Sequence, residues 1–187
     1  MAGPGAVTQT NDAELITAAR NGDTSAFGEL VQRYRDDVVN VVYRITGDPD
    51  LAEEATQEAF VRAWRKLDRY RNDGSFRSWI YRIAINASLD QLRRKKVSVG
   101  VDLSMLADKR DGPETEFIKV ERARRVQEAV LGLPENSRSV LVLREYEGLS
   151  YREIAETIVI PMGTVMSRLN YARQHLRRSL APYLEAE

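Results

Sequence analysis

The sequence predicts an all-α protein: two small helical domains joined by a flexible linker, the C-terminal one containing a helix-turn-helix. Three observations predict it. Apolar residues recur at three- and four-residue steps up to about residue 96 and again beyond 115. Between them, "VSVGVDLSMLADKRDGPET" (97–115) mixes Gly, Pro, Ser and acids with scattered apolar residues, and the period stops. Finally, "SYREIAETIVIPMGTVMSR" (150–168) reads as two short helices around a tight turn. The expected division is a disordered N-terminus (1–11), a helical domain (12–96), a linker (97–115) and a second helical domain (116–187).

In "TSAFGELVQRYRDDVVNVVYRITGD", Phe27, Leu30, Val31, Tyr34, Val38, Val41, Val42 and Ile45 share a helix face, and Gly47 stands where a helix ends. Asp48 can cap the next helix, with Pro49 in its first turn and Leu51, Ala55, Ala59, Ala63 and Leu67 every fourth residue. A third helix runs from about Phe76 to Lys96 with Ser75 as cap. It buries Phe76, Trp79, Ile80, Ile83, Ala84, Ala87 and Leu92. The intervening "RYRNDG" is a loop rich in turn formers, with Tyr70 as an exposed aromatic.

Beyond the linker, Phe117, Val120, Val126, Ala129, Val130 and Leu133 form one face, and Pro134 opens a helix in which Val140, Leu141, Leu143 and Tyr146 pack. Gly148 ends it. Ser150 and Glu153 fit a capping box, and Pro161, Gly163 and Thr164 mark the start of the last long helix. Where such a turn commonly has glycine, this chain has Val159. A β-branched residue at positive φ costs about 1 kcal/mol or more, so Val159 is expected to take a different turn or to tuck its side chain inward.

Composition excludes several functions. With no cysteine and a single histidine, His175, the chain has neither a disulfide framework nor the usual zinc ligands, and no cofactor motif is present. No apolar run is long enough to span a membrane and the N-terminus lacks a signal-peptide pattern, so no membrane insertion and a cytoplasmic location are expected. The zero net charge hides an asymmetry: residues 1–61 carry 4 basic and 11 acidic groups, residues 62–96 carry 11 and 3, and residues 164–178 hold four arginines and no acid. A salt-bridged surface explains any one charge run, but basic segments on both sides of a linker fit polyanion binding better.

In a helix-turn-helix the first helix braces the second, whose N-terminal face enters the major groove. Val165 and Leu169 would face the core, leaving Thr164, Met166, Ser167, Arg168, Asn170, Tyr171 and Arg173 outside. The 76–96 helix interleaves Arg77, Arg82, Gln91, Arg93, Arg94, Lys95 and Lys96 with Trp79, Tyr81 and nearby Tyr70, the combination that unpaired bases and their phosphates need. An ordinary amphipathic helix with Phe76 and Trp79 in the core is the competing reading. Glu53, Glu54 and Glu58 could suggest acid/base chemistry, but without a histidine in register a solvated or partner-facing surface is favoured.

Four segments, "DPDLAEEATQEAFVRAW", "FRSWIYRIAINASLDQLRRKK", "LPENSRSVLVLREYEGLSYREIAE" and "IPMGTVMSRLNYARQHLRR", in this order and spacing, resemble bacterial RNA polymerase sigma factors of the extracytoplasmic function (ECF, group IV) class. The resemblance covers nearly the whole chain beyond the first dozen residues. It implies that 12–96 is similar to sigma region 2 and 116–187 to sigma region 4. Asp50, Glu53, Glu54, Gln57 and Glu58 would then face the clamp helices of the largest subunit of core RNA polymerase. A flipped base of the minus-ten non-template strand would be captured by Tyr70, Arg71, Asn72, Asp73, Ser75 and Asn86, with Arg77, Arg82, Arg93 and Arg94 on phosphates. The linker would thread through the polymerase with Asp102, Asp108, Asp111 and Glu114. The second domain would sit on the flap of the second-largest subunit and read minus-thirty-five promoter DNA through Arg152, Gly163, Thr164, Met166, Ser167, Arg168, Tyr171 and Arg173. The resemblance also implies an anti-sigma factor as partner.

Met166 and Tyr171 stand where many members carry a basic residue, which shifts weight from phosphates toward apolar contacts such as thymine methyl groups. Two alternatives remain: a free-standing operator-binding regulator with the same helix-turn-helix, and a small enzyme using Glu53, Glu54 and Glu58. A simple operator binder has no need for a single-strand site; an enzyme needs an acid-base pair or metal that the sequence does not display.

Overall fold

The structure is a computed structural model that describes residues 11–71, 74–98 and 114–184. Asn72, Asp73, nearly all of the expected disordered N-terminus, most of the expected linker, and the side chains of Phe117 and Val120 lie outside the described residues. Among the described residues the regular structure is helical: α1 Asp12–Arg20, α2 Thr24–Thr46, α3 Pro49–Lys66, a 3-10 turn Leu67–Arg69, α4 Phe76–Ser98, α5 Glu114–Leu131, α6 Glu135–Glu145, α7 Tyr151–Ile158 and α8 Met162–Leu184.

Short polar side chains set the helix starts. Asp23 accepts the N–H groups of Ser25 (2.9 Å) and Ala26 (3.2 Å), and Asp48 those of Asp50 (3.0 Å) and Leu51 (3.1 Å). Ser75 caps α4 by accepting from Ser78 N–H at 3.1 Å, as its position predicts. Helix α1 was not anticipated by the periodicity, because nine residues offer only Leu15, Ile16 and Ala19 to the core. Its one clear signal is Asn11, which accepts the N–H of Ala13.

In the first bundle, α2 brings Val38, Val41, Val42 and Ile45 against the alanine stripe of α3 (Ala52, Ala55, Ala59, Ala63) and against Phe76, Ile80 and Ala84 of α4. The stripe has no bulk, so the helices approach closely and leave no room for a larger side chain. In the second bundle, α5, α6 and α7 pack on α8 around Val130, Leu133, Val140, Leu143, Ile154, Val165 and Leu169. Two residues read as core are not: Val126 is 37% exposed, and Tyr146 lies at the surface beneath Arg44, its ring centroid 4.1 Å from the guanidinium. Tyr81, grouped in the sequence with the aromatics suited to unpaired bases, is fully buried.

The bundles pack together, α2 against α5 and α6, and α4 against α7, so one apolar cluster runs through both. At the seam, Gly47 (φ 72°) ends α2 so close to Leu131 that an added Cβ would meet its Cδ1 at 2.7 Å. Beside it the buried Arg138 donates to the carbonyls of Ile45, Leu131 (2.5 Å) and Leu133 (2.8 Å). These are the C-terminal ends of α2 and α5, where open carbonyls and the helix dipole favour a cation.

The capping box of α7 is present in full: Ser150 Oγ accepts the N–H of Glu153 (3.2 Å) and the Glu153 carboxylate accepts that of Ser150 (2.7 Å). Val159 corrects both expectations made for it. It sits at φ 55°, ψ 58°, the left-handed region, and its side chain is 67% exposed. The N–H groups of Val159 and Ile160 both reach the Ala155 carbonyl, which satisfies the end of α7 at the cost of a strained valine.

Candidate nucleic-acid interface

The loop between the 3-10 turn and α4 is built around Tyr70, and Tyr70 is not the exposed ring expected. It is 6% exposed, its ring lies 5.0 Å from Trp79 and 6.0 Å from Phe76, and its hydroxyl donates to the Gly74 carbonyl at 2.6 Å. Tyrosine at this place closes the loop from beneath, a role that the turn-forming sequence around it concealed. From α1, Arg20 donates to the carbonyls of Leu67 (3.1 Å) and Tyr70, fixing the loop's first half. Sequence reasoning missed Arg20, because nothing local ties it to a segment some fifty residues away.

Above this base the loop and the start of α4 form one wall of an open crevice of roughly 720 Å³: Arg69, Tyr70, Arg71, Gly74, Ser75, Ser78, Trp79 and Arg82. The other wall is α7 and its turn, with Glu153, Glu156, Thr157 and Val159. Three guanidinium-bearing residues and a half-buried indole on one wall suit a nucleotide, the indole for a base and the arginines for phosphate. Of the predicted residues the structure brings Tyr70, Arg71, Ser75 and Arg82 together. Asn86, one turn beyond Arg82, is exposed but not among the walls; Arg93 is farther along α4 and pairs with Asp90 at 3.3 Å. Arg77 is engaged elsewhere: it donates to Glu147 of the second bundle at 2.6 Å and, through Nε, to the Tyr81 hydroxyl at 3.1 Å. Burial, and then the Glu147 carboxylate, push the Tyr81 phenol well above its ordinary pKa, so it stays a hydrogen-bond donor.

The acidic face of α3 is divided. Glu53 is held by Arg35 of α2 (2.7 Å), and Glu58 by Arg62 (2.5 Å) and Gln91 of α4 (3.2 Å). Asp50, Glu54 and Gln57 are exposed. A shallow hollow beside them is lined by Asp48, Asp50, Glu54, Arg94 and Lys95, and the Lys95 ammonium, 2.6 Å from Asp48, holds that carboxyl below its usual range. Among the described residues no cluster of carboxylates or histidine is placed to hold a metal ion.

On α8, Val165 and Leu169 are buried as expected, and Met166, Ser167, Tyr171 and Arg173 are exposed; Thr164 and Arg168 are half-buried. The N–H of Thr164 is used on the Pro161 carbonyl at 2.9 Å, so the open donors of this helix start are those of Met162 and Gly163. Arg152 pairs with Glu156 (2.9 Å) and Arg173 with Glu145 (2.8 Å). Val159, Met162 and Met166, all more than half exposed, continue as an apolar stripe from the turn into the helix. Met162 was overlooked because it reads as part of the turn; its spacing of four from Met166 is the signal that could have found it.

Among the described residues no helix is long and apolar enough to cross a membrane. Residues 30–97 match the Sigma-70 region 2 family and residues 123–176 the Sigma-70 region 4 family. The chain is 35% identical to the RNA polymerase sigma-H factor of Pseudomonas aeruginosa, covering 95% of this chain and 98% of that one. It is 34% identical to the ECF RNA polymerase sigma factor SigW of Bacillus subtilis, over 88% and 94%. Among solved structures it is similar to CnrH in its complex with the cytosolic domain of CnrY, at 27% identity and a TM-score of 0.68, over 94% of this chain and 98% of that chain. The two packed helical bundles thus belong to a known architecture, and the chain is a member of the ECF RNA polymerase sigma factor family.

Proposed function

We propose that this sigma factor divides promoter recognition between its bundles as follows. The loop and α4 wall of Arg69, Arg71, Trp79 and Arg82 takes the unpaired minus-ten strand, and Tyr70 supports that wall from below. Arg77, Asn86, Arg93 and Arg94 extend the basic track along α4, and Asn72 and Asp73 complete the loop. Helix α8 enters the minus-thirty-five duplex with the N–H groups of Met162 and Gly163 toward phosphate, Met166, Ser167 and Tyr171 toward bases, and Arg152, Thr164, Arg168 and Arg173 at the sides. The exposed part of α3, Asp50, Glu54 and Gln57 with Glu53 and Glu58 behind them, docks on the clamp helices of core polymerase, and the second bundle docks on the flap.

The observation that carries this reading is the wall itself: an indole flanked by three arginines belongs to single-strand capture, which a free-standing operator binder does not need. The acidic face supports the same division, since two of its carboxylates are already ion-paired and none is presented as an isolated acid-base couple. The solved complexes of CnrH with the cytosolic domain of CnrY, and of the sigma factor RpoE with the anti-sigma factor NepR from Bartonella quintana, support an anti-sigma partner here also.

Run-off transcription by core polymerase with and without the chain tests the proposal. Added chain is expected to produce transcripts from defined starts, and Arg82→Ala to weaken permanganate reactivity of the minus-ten thymines without loss of holoenzyme assembly. Equal transcripts in both reactions would refute it.

A further inference from the structure

The chain has no cysteine and four methionines, so its sulfur chemistry is that of thioethers alone. Among the described residues the buried core contains no methionine; Met162 and Met166 are instead 53% and 52% exposed. They stand four residues apart in the first turns of α8, a spacing at which helical side chains share a face. Val159, exposed in the turn before them, continues that face.

A thioether placed here differs from one in a core in two ways. Solvent reaches its sulfur lone pairs, and a change at the sulfur leaves Val165, Leu169 and Ala172, which are buried and anchor the same helix, in their packing. The chemistry open to it is a two-electron oxygen transfer. A sulfur lone pair attacks one oxygen of hydrogen peroxide, and the O–O bond breaks as the S–O bond forms. The hydroxide that leaves takes the proton of the transferred hydroxyl and departs as water. Sulfur is oxidised and peroxide reduced. The sulfoxide is polar and chiral where the thioether was apolar, and a sulfoxide reductase reverses the change with two thiols, which become a disulfide as water is released.

An S–O group turned toward a thymine methyl has to give up its water and gains no donor in exchange, so an apolar contact becomes an unsatisfied acceptor. We propose that Met162 and Met166 are a reversible oxidation site, a pair of thioethers that takes oxygen from hydroperoxides and thereby lowers the chain's hold on minus-thirty-five DNA without unfolding it. The effect on DNA rests on the function proposed above; the oxidation does not.

The test treats the full chain with dilute hydrogen peroxide, removes the oxidant with catalase and adds the chain to untreated core polymerase. Peptide mass mapping should find one added oxygen on each of Met162 and Met166, with the far-ultraviolet circular dichroism unchanged. Run-off yield should fall about five-fold or more relative to the untreated chain. It should recover after incubation with both methionine sulfoxide reductases, one for each epimer, and dithiothreitol. The double variant Met162→Leu with Met166→Leu keeps an apolar face without sulfur. Compared with its own untreated form, it should lose little yield. Should that variant not fold, recovery by the reductases decides in its place. Sulfurs at 162 and 166 that resist peroxide, or helicity lost on oxidation, would overturn the site. Unchanged yield with both sulfurs oxidised, or an equal loss in the leucine variant, would do the same. No transcript from the untreated chain would instead overturn the proposed function and, with it, the effect on DNA. The mass and dichroism measurements use neither polymerase nor DNA and decide the oxidation by themselves.

Discussion

Single residues in this protein carry roles that their chemical type alone does not announce. Tyr70 looks like a stacking ring but is a buried prop, because the loop folds its backbone over the phenol and offers the hydroxyl a carbonyl of its own. Val159 is the converse case, a residue that physical reasoning expects to evade strain and that holds it in full view of solvent. The left-handed conformation costs an L-residue about 1–2 kcal/mol, and the exposed side chain recovers little through burial. Val159→Gly is therefore expected to stabilise the chain by about 1 kcal/mol, visible as a higher urea midpoint at unchanged slope. The exposed valine extends the apolar stripe of Met162 and Met166.

At the scale of elements, that stripe would give α8, under the proposed function, a distinctive reading chemistry. Methionine sulfur and methyl groups offer major-groove contacts to the thymine C5-methyl and no hydrogen-bond pattern for guanine. If Met166 reads thymine, replacing minus-thirty-five thymines by uracil in a gel-shift assay of the holoenzyme should weaken binding several-fold for the parent and far less for Met166→Ala. Equal sensitivity in both would remove Met166 from base contact. Most of the elements were legible in the sequence because their signals are local: the stepwise apolar runs of α2 to α4, the Asp48-Pro49 start, the capping box before α7 and the buried Val165 and Leu169. What was not legible depends on partners distant in the chain. Helix α1 is too short to show a period, Val126 and Tyr146 lie where the packing leaves the surface open, and Asn86 is exposed on α4 outside the walls of the crevice.

For the whole molecule, the seam between the bundles governs behaviour, and its centre is Arg138. Burial disfavours its charge, yet its guanidinium closes the carbonyl ends of α2 and α5 together. Arg138→Met keeps most of the volume and leaves those carbonyls without their donor, so stability should fall by about 2 kcal/mol or more, measured by denaturant unfolding. A change below about 0.5 kcal/mol would show that the seam does not depend on Arg138. The Arg20 strut described above reaches across the first bundle in a similar way, from α1 to the turn that carries Arg69 and Arg71. That link makes the loop proposed to take the promoter strand a composite of two distant stretches of gene, so that a change within the first helix is, in effect, a change in that loop, and variation in one should be interpreted jointly with variation in the other.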